Sequence, residues 1–382
     1  MSTTSEVALA TAPLPARERP PAGIVGPVAW GRHNLFGSVW SSILTIVLGL
    51  LIVDWAWHFV SWGLINAVWS VPVAANPLET AMPCRAVQGA GACWAVIGDK
   101  WRFILFGRYP YDLQWRPGLC VALFVGLYII SANRLFWRKE LLYIWIATLA
   151  VIAVLMWGGV LGLDYVAQDQ WGGLPITLIL STFGLAFAFP LAVLVALGRR
   201  STQLPAVKYL CVGYVELIRG VPLISLLFMA SVMFPLFMPE GMNPDKLLRA
   251  QVAIILFAAA YLAEVIRGGL QALPKGQYEA ADALGLSYWQ KTGKIILPQA
   301  LRLVIPPLVN TFMGFFQDTS LVLIIGILDL LTAGKNAMAD PVWTGFSTEI
   351  YLVLAAIYFV FCYAMSRYSR GLERQFRRAH NR

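Results

Sequence analysis

Residues 261–298 read YLAEVIRGGLQALPKGQYEAADALGLSYWQKTGKIILP. They lie between apolar runs long enough to cross a bilayer, yet their middle is polar. Ala272-Leu273-Pro274-Lys275-Gly276 ends one helix with a Pro/Gly breaker. A short helix is expected from about Gln277, with Glu279 and Asp282 in its first turns, where the helix dipole favours negative charge. Gly285 suits a left-handed helix stop. Ser287 opens another short helix, with Gln290 three positions on to complete a capping box, and Pro298 fits the first turn of the next helix. Two capped helices joined at a glycine make a compact knob. Ala280, Ala281 and Ala283 keep its face low, so that a partner backbone can come close.

The rest of the chain sets this knob in a membrane. Of 382 residues, 59% are hydrophobic and 13% charged, and the mean hydropathy is +0.68, far from a soluble average. Several uncharged runs reach the ~20 residues that a spanning helix needs. The fold class is therefore an all-α polytopic membrane protein with about eight transmembrane helices. The spans are expected at 38–60, 117–133, 141–163, 174–197, 221–238, 250–270, 301–327 and 350–365. The seventh reads as broken, with apolar halves on either side of Gln317-Asp318-Thr319-Ser320. Residues 1–35 read as a tail, and the first apolar run is too long and too far in for a signal peptide. Asp54 sits toward the outer end of the first span, followed by Trp55, Trp57, Trp62 and Trp69 as an aromatic belt. A large polar loop covers about 65–116. Gly158 and Gly162 form a GxxxG pair in the third span, a hint of close helix packing. Residues 198–220 read as basic and interfacial.

Charge orients the chain. With the N terminus inside and eight alternating spans, most of the 29 Lys and Arg fall on the cytoplasmic side, which the positive-inside rule prefers. Arg138, Arg199, Arg200, Lys208, Lys275, Lys291 and the arginines of 371–382 are among them. Both termini and the knob are then cytoplasmic. The net charge of +9 is accounted for by this topology, so no nucleic-acid partner is expected.

At the knob the sequence becomes recognisable. Glu279-Ala280-Ala281, three residues, Gly285, nine residues, Ile295, one residue, Leu297-Pro298 resembles the EAA loop of ABC-importer permeases. Residues 263–269 (AEVIRGG), 215–223 (VELIRGVPL) and 317–321 (QDTSL) are similar to the permeases of polar amino-acid importers, which commonly carry Lys where this chain has Gln317. The resemblance implies a type I permease core over 174–370, formed by the last five spans. It also implies an added three-helix extension over 36–173, similar to the longer permease of general L-amino-acid systems. It further implies a bacterial inner-membrane location, a second permease subunit in a heterodimer, two ATPase subunits that hold ATP and Mg, and a periplasmic amino-acid-binding protein. Within it, Glu279, Ala280, Ala281, Gly285, Ile295, Leu297 and Pro298 would couple to the ATPase.

Other chemistry is sparse. There is no GxSxG elbow, HExxH or Rossmann fingerprint, and both candidate Walker glycine-lysine pairs, at Gly293-Lys294 and Gly334-Lys335, lack the following hydroxyl. No enzyme, resident cofactor or metal is expected. Cys84 and Cys93 share the large outer loop and are candidates for a disulfide, the alternative being two free thiols. Glu264 and Arg267, one turn apart, either pair at the inner end of span six or place Glu264 on the translocation path or a gate. Glu216 and Arg219 have the same spacing and read as a structural pair. Gln317, Asp318, Thr319 and Ser320 are candidates for the path or outer gate, because irregular backbone at membrane depth needs a wet or protein-lined setting. The competing reading is an ion-coupled secondary transporter or channel built on the broken span and Glu264.

Overall fold

The computed structural model describes residues 26–72, 77–239, 241 and 244–380. Residues 1–25 of the expected tail, with Arg17 and Arg19, and Asn381 and Arg382 of the basic tail lie outside the described residues. Among the described residues there is no strand, only two isolated bridges, Val68 with Cys93 and Gly173 with Asp329.

The chain divides into two units. The first, residues 1–67 and 87–92, carries α1, Val39–Val60. Ser38 caps it by accepting from the Ser41 N–H, and a π-turn over Ser61–Ile65 extends it. No residue of α1 is buried. Asp54 and His58 face each other one turn apart at 3.5 Å.

The second unit, residues 68–86 and 93–382, holds α2 (Ala95–Phe106), α3 (Trp115–Ala132), α4 (Lys139–Trp157), α5 (Leu174–Arg199) and α6 (Pro205–Gly220). It continues with α7 (Leu223–Phe228), α8 (Lys246–Ala272), α9 (Lys275–Ala283), α10 (Tyr288–Lys291), α11 (Leu297–Leu303), α12 (Ile305–Asp318), α13 (Leu330–Met338) and α14 (Ser347–His380). Among the described residues, seven helices are long and apolar enough to cross a membrane. They become eight when α6 and residues 223–237, bent by 102°, count as one span. The stretch expected to be interfacial, 198–220, holds α6, which meets the next segment at that bend.

The core is the pair α5 and α8, the most extensive helix contact in this unit. Its chemistry is small residues: Ala253, Ala258, Ala259, Ala260 and Ala263 of α8 are all buried. Without a hydrophobic drive between helices in lipid, such residues bring backbones into van der Waals range. The closeness is visible at Gly184 of α5, where a Cβ would stand 3.0 Å from Ile254 Cγ2. Asp245 caps α8 by accepting from the Leu247 N–H at 2.8 Å.

Three expectations change. α4 stops at Trp157, with Gly158 and Gly162 both at positive φ in the loop after it, so no GxxxG helix face exists there. The C-terminal carbonyls of α4 are instead met by side chains, as helix ends require. Buried Arg116 donates to Leu155 O at 2.7 Å, and the Tyr109 hydroxyl donates to Leu155 O and Met156 O. The seventh span is not broken at 317–320 either. α12 ends on Asp318 and tightens without interruption into a 3₁₀ segment over Thr319–Ile325. Its discontinuity lies earlier, at Val304, just before Pro306 and Pro307, whose rings suit only a helix start. The last span runs on as a single helix from Ser347 to His380, well past the expected 350–365.

Candidate functional site

The knob is built by α9, α10, a π-turn over Thr292–Ile296 and α11. Gly285 takes φ 68°, the left-handed conformation that lets the chain reverse between α9 and α10. The Ser287 side chain accepts from the Gln290 N–H, and the Gln290 side chain accepts in return from the Ser287 N–H at 3.1 Å, a complete capping box. Lys291 Nζ bonds Asp282 at 2.5 Å and ties the two helices together. α9 begins at Lys275 rather than near Gln277, so no acid lies in its first turn. Asp282 instead falls in its last turn and meets Lys291. Glu279 and Ala280 are exposed while Ala281 is buried, which places Ala281 inside the knob rather than on its low face. Ile295, Leu297 and Pro298 are half-buried beneath it. Apolar groups also stand on the outer surface: Leu284 and Trp289 are 75% and 71% exposed, and Tyr288 stacks edge-on against Trp289.

Sequence reasoning missed how the knob is fastened. Arg200, just past α5, donates to Tyr278 Oη at 2.7 Å and to Leu270 O at 2.8 Å, and the Tyr278 hydroxyl also donates to Leu270 O. The first turns of the knob are therefore bonded to the ends of both core helices. A basic pair ending an apolar run was the available signal. Gly269 of α8 adds a close approach: a Cβ there would stand 2.7 Å from Ala300 O of α11.

Glu264 lies one turn before that crossing and collects cations from three helices. Arg199 of α5 reaches it at 2.5 Å, Arg267 of α8 bonds both its oxygens, and Arg219 of α6 is 3.8 Å away. Glu216 does not take Arg219 as its partner. It bonds Arg199 at 2.9 Å, while the Arg219 guanidinium lies over the Tyr261 ring. Arg199, at the end of α5, is the cation that Glu216 meets instead.

The polar run of α12 is separate. Gln317 is exposed and its Nε2 donates to Cys362 Sγ, Asp318 is half-buried, and buried Thr319 donates to Phe316 O at 2.8 Å. At the other end of the core helices, Cys84 and Cys93 form a disulfide with Cα atoms 5.5 Å apart. The Cys93 N–H donates to buried Glu349 at the start of α14, at 2.9 Å. Lys100 of α2 bonds Asp340 at 2.6 Å and Asp99 at 3.1 Å. The Lys100 hydrogen bond holds the Asp340 carboxyl below its usual range against the opposing effect of burial.

The chain is similar to known proteins over these same residues. The family described as binding-protein-dependent transport system inner membrane component matches residues 188–378. The inner membrane amino-acid ABC transporter permease protein YhdY of Escherichia coli (strain K12) is 46% identical over 378 residues, 97% of this chain and 98% of that one. The glutamate/glutamine/aspartate/asparagine transport system permease protein BztC of Rhodobacter capsulatus is 39% identical over 437 residues, 97% of each chain. Among solved structures, an amino acid ABC transporter with histidines aligns at TM-score 0.47 and 32% identity, over 53% of this chain and 92% of that one.

Proposed function

Because the chain belongs to the binding-protein-dependent transport system inner membrane components, as a permease of the amino-acid ABC importers, we propose that its knob couples the spans to a separate ATPase. The protein is a multi-pass inner-membrane transport component and not itself an enzyme. The observation that carries the coupling is the exposed apolar surface of Leu284, Tyr288 and Trp289 on a capped, cross-linked platform. Aromatic anchors of this kind dominate protein interfaces.

In this reading the N and C termini lie with the knob in the cytoplasm, as the distribution of basic residues favours. Two ATPase copies hold ATP and Mg, a second permease completes the pair, and a periplasmic binding protein delivers the solute. Residues 174–370 are the permease core. Closure of the ATPases pushes the knob, and the bonds from Arg200 and Tyr278 carry that push into α5 and α8. The ion cluster around Glu264 then sits at the inner mouth, and Gln317, Asp318, Thr319 and Ser320 lie on the path. The cargo class is polar L-amino acids in a broad range. Support comes from the amino-acid transporter name of the E. coli relative and the four acidic and amide amino acids in the name of the R. capsulatus one.

Reconstitution with the ATPase, the second permease and the binding protein tests this. A β-branched residue in place of Gly285, at φ 68°, disfavours the turn by about 1–2 kcal/mol. Gly285→Val is expected to abolish labelled amino-acid uptake while ATP is still hydrolysed. Undiminished uptake by that variant, or uptake with no ATPase present, overturns the proposal.

A further inference from the structure

α7, the π-turn over Met229–Met233 and the first half of α8 enclose a groove of about 440 Å³. Its walls include Leu226, Met229, Met233, Phe237 and Val252, and Arg249 is the one charged lining residue among the described residues. Such π-turns widen a helix locally and recur at functional sites. Nε and Nη1 of Arg249 are buried and have no hydrogen-bond partner among the described residues. Arg249 as a whole is half-buried, but two buried N–H groups of a cation without an acceptor are unfavourable, so the position favours an anion that can reach them.

The groove itself says which kind of anion. No other described lining side chain is polar, so the ammonium of a free amino acid would be stranded without an acceptor. An anion with an apolar body has no such difficulty. Arg249 is also near the start of α8, three residues past Lys246, and directly before the apolar stretch expected to span from residue 250, where basic side chains reach headgroups. From Leu248 to Leu256 the groove follows α8 for about 12 Å, close to the ~15 Å of one hydrocarbon leaflet. Methionines line it and adapt to a flexible chain.

We propose that this groove holds an anionic phospholipid of the leaflet away from the knob, with its phosphate on Arg249 and one acyl chain beside Met229 and Met233. The site is independent of which solute is carried.

The full chain, assembled with its partners in nanodiscs of phosphatidylcholine and phosphatidylglycerol in equal amounts, is transferred to detergent, and retained lipid is counted by native mass spectrometry. Wild-type protein is expected to retain phosphatidylglycerol over phosphatidylcholine by about tenfold, as one charge-assisted contact allows. Arg249→Gln should remove the preference, Arg249→Lys should restore part of it, and Val252→Phe, at an exposed lining position, should fill the groove and lose both lipids. Equal retention of the two lipids by wild type, an unchanged preference in Arg249→Gln, or release of the lipid by excess free glutamate overturns the assignment. If Arg249→Gln fails to assemble, the wild-type preference and the glutamate competition decide alone.

Discussion

Glu264→Gln removes the one carboxylate that Arg199, Arg267 and Arg219 share. The side chain is 24% exposed and Arg199 only 10%, so this is neither a surface pair nor a fully buried one. Breaking a buried ion pair costs about 3–5 kcal/mol, because it strands the remaining charge, whereas an exposed pair is worth about 0–1 kcal/mol. The intermediate burial, offset by the second carboxylate of Glu216 on Arg199, gives a loss of about 2 kcal/mol. Thermal unfolding of the purified chain in detergent should shift down by about 2–3 °C. A double-mutant cycle of Glu264→Gln with Arg199→Gln should return an interaction energy of about 1–3 kcal/mol. The pairing argument fails if the cycle returns nothing. It also fails if Glu216→Gln is as damaging as Glu264→Gln, because Glu216 is far more exposed.

The far end of the core and the helix crossing give further expected outcomes. Cys84→Ser with Cys93→Ser opens a loop of nine residues and should lower stability by about 2.5 kcal/mol, and in the wild type both thiols should label with maleimide only after reduction. Lys100→Met should destabilise at pH 7, and its deficit against wild type, read by thermal unfolding across pH, should shrink as pH falls below about 4. The folded Asp340 carboxyl titrates below its unfolded value, so its contribution is whole above about pH 4 and is lost as pH falls through the folded value. Asp329 has the opposite sign, since burial pushes its carboxyl up, and its ionisation weakens the fold as pH rises through the interval between the two values. Gly269→Ala should cost about 1–3 kcal/mol, read as a lower melting temperature, because the new methyl meets Val304 Cγ1 at 2.6 Å and Ala300 O at 2.7 Å.

Local chemistry was the legible part. The Ser287–Gln290 box, the Gly285 reversal and the apolar lengths of α5 and α8 depend on neighbours in sequence, and the chain spells them out. What failed depended on space. Glu216 and Arg219 had the right spacing for each other, but Arg199, seventeen positions back in the chain, took Glu216 instead. The polarity of Gln317-Asp318-Thr319-Ser320 suggested an unwound segment. Yet four polar side chains do not themselves break backbone hydrogen bonds, and the chain stays helical, with Gln317 and Asp318 ending α12 and Thr319 and Ser320 opening the 3₁₀ segment. The real interruption, at Val304, was written in Pro306-Pro307, a helix-start signal hidden inside an apolar run. Arg200 and Tyr278 escaped notice because a basic flank is the ordinary expectation at a membrane boundary.

The 102° elbow between α6 and α7 has a further consequence. It turns α6 away from the direction of the segment after it, with Tyr209, Leu210 and Leu217 exposed along its length. An amphipathic rod laid over a bilayer floats at the depth where its oily side is covered. Glu216 and Arg219 ride on that float, so the level at which it rests fixes how much water, and how much salt, reaches the carboxylate of Glu264. A thinner or thicker lipid sheet would raise or lower the waterline against the cluster and so retune its grip without touching a single one of its side chains.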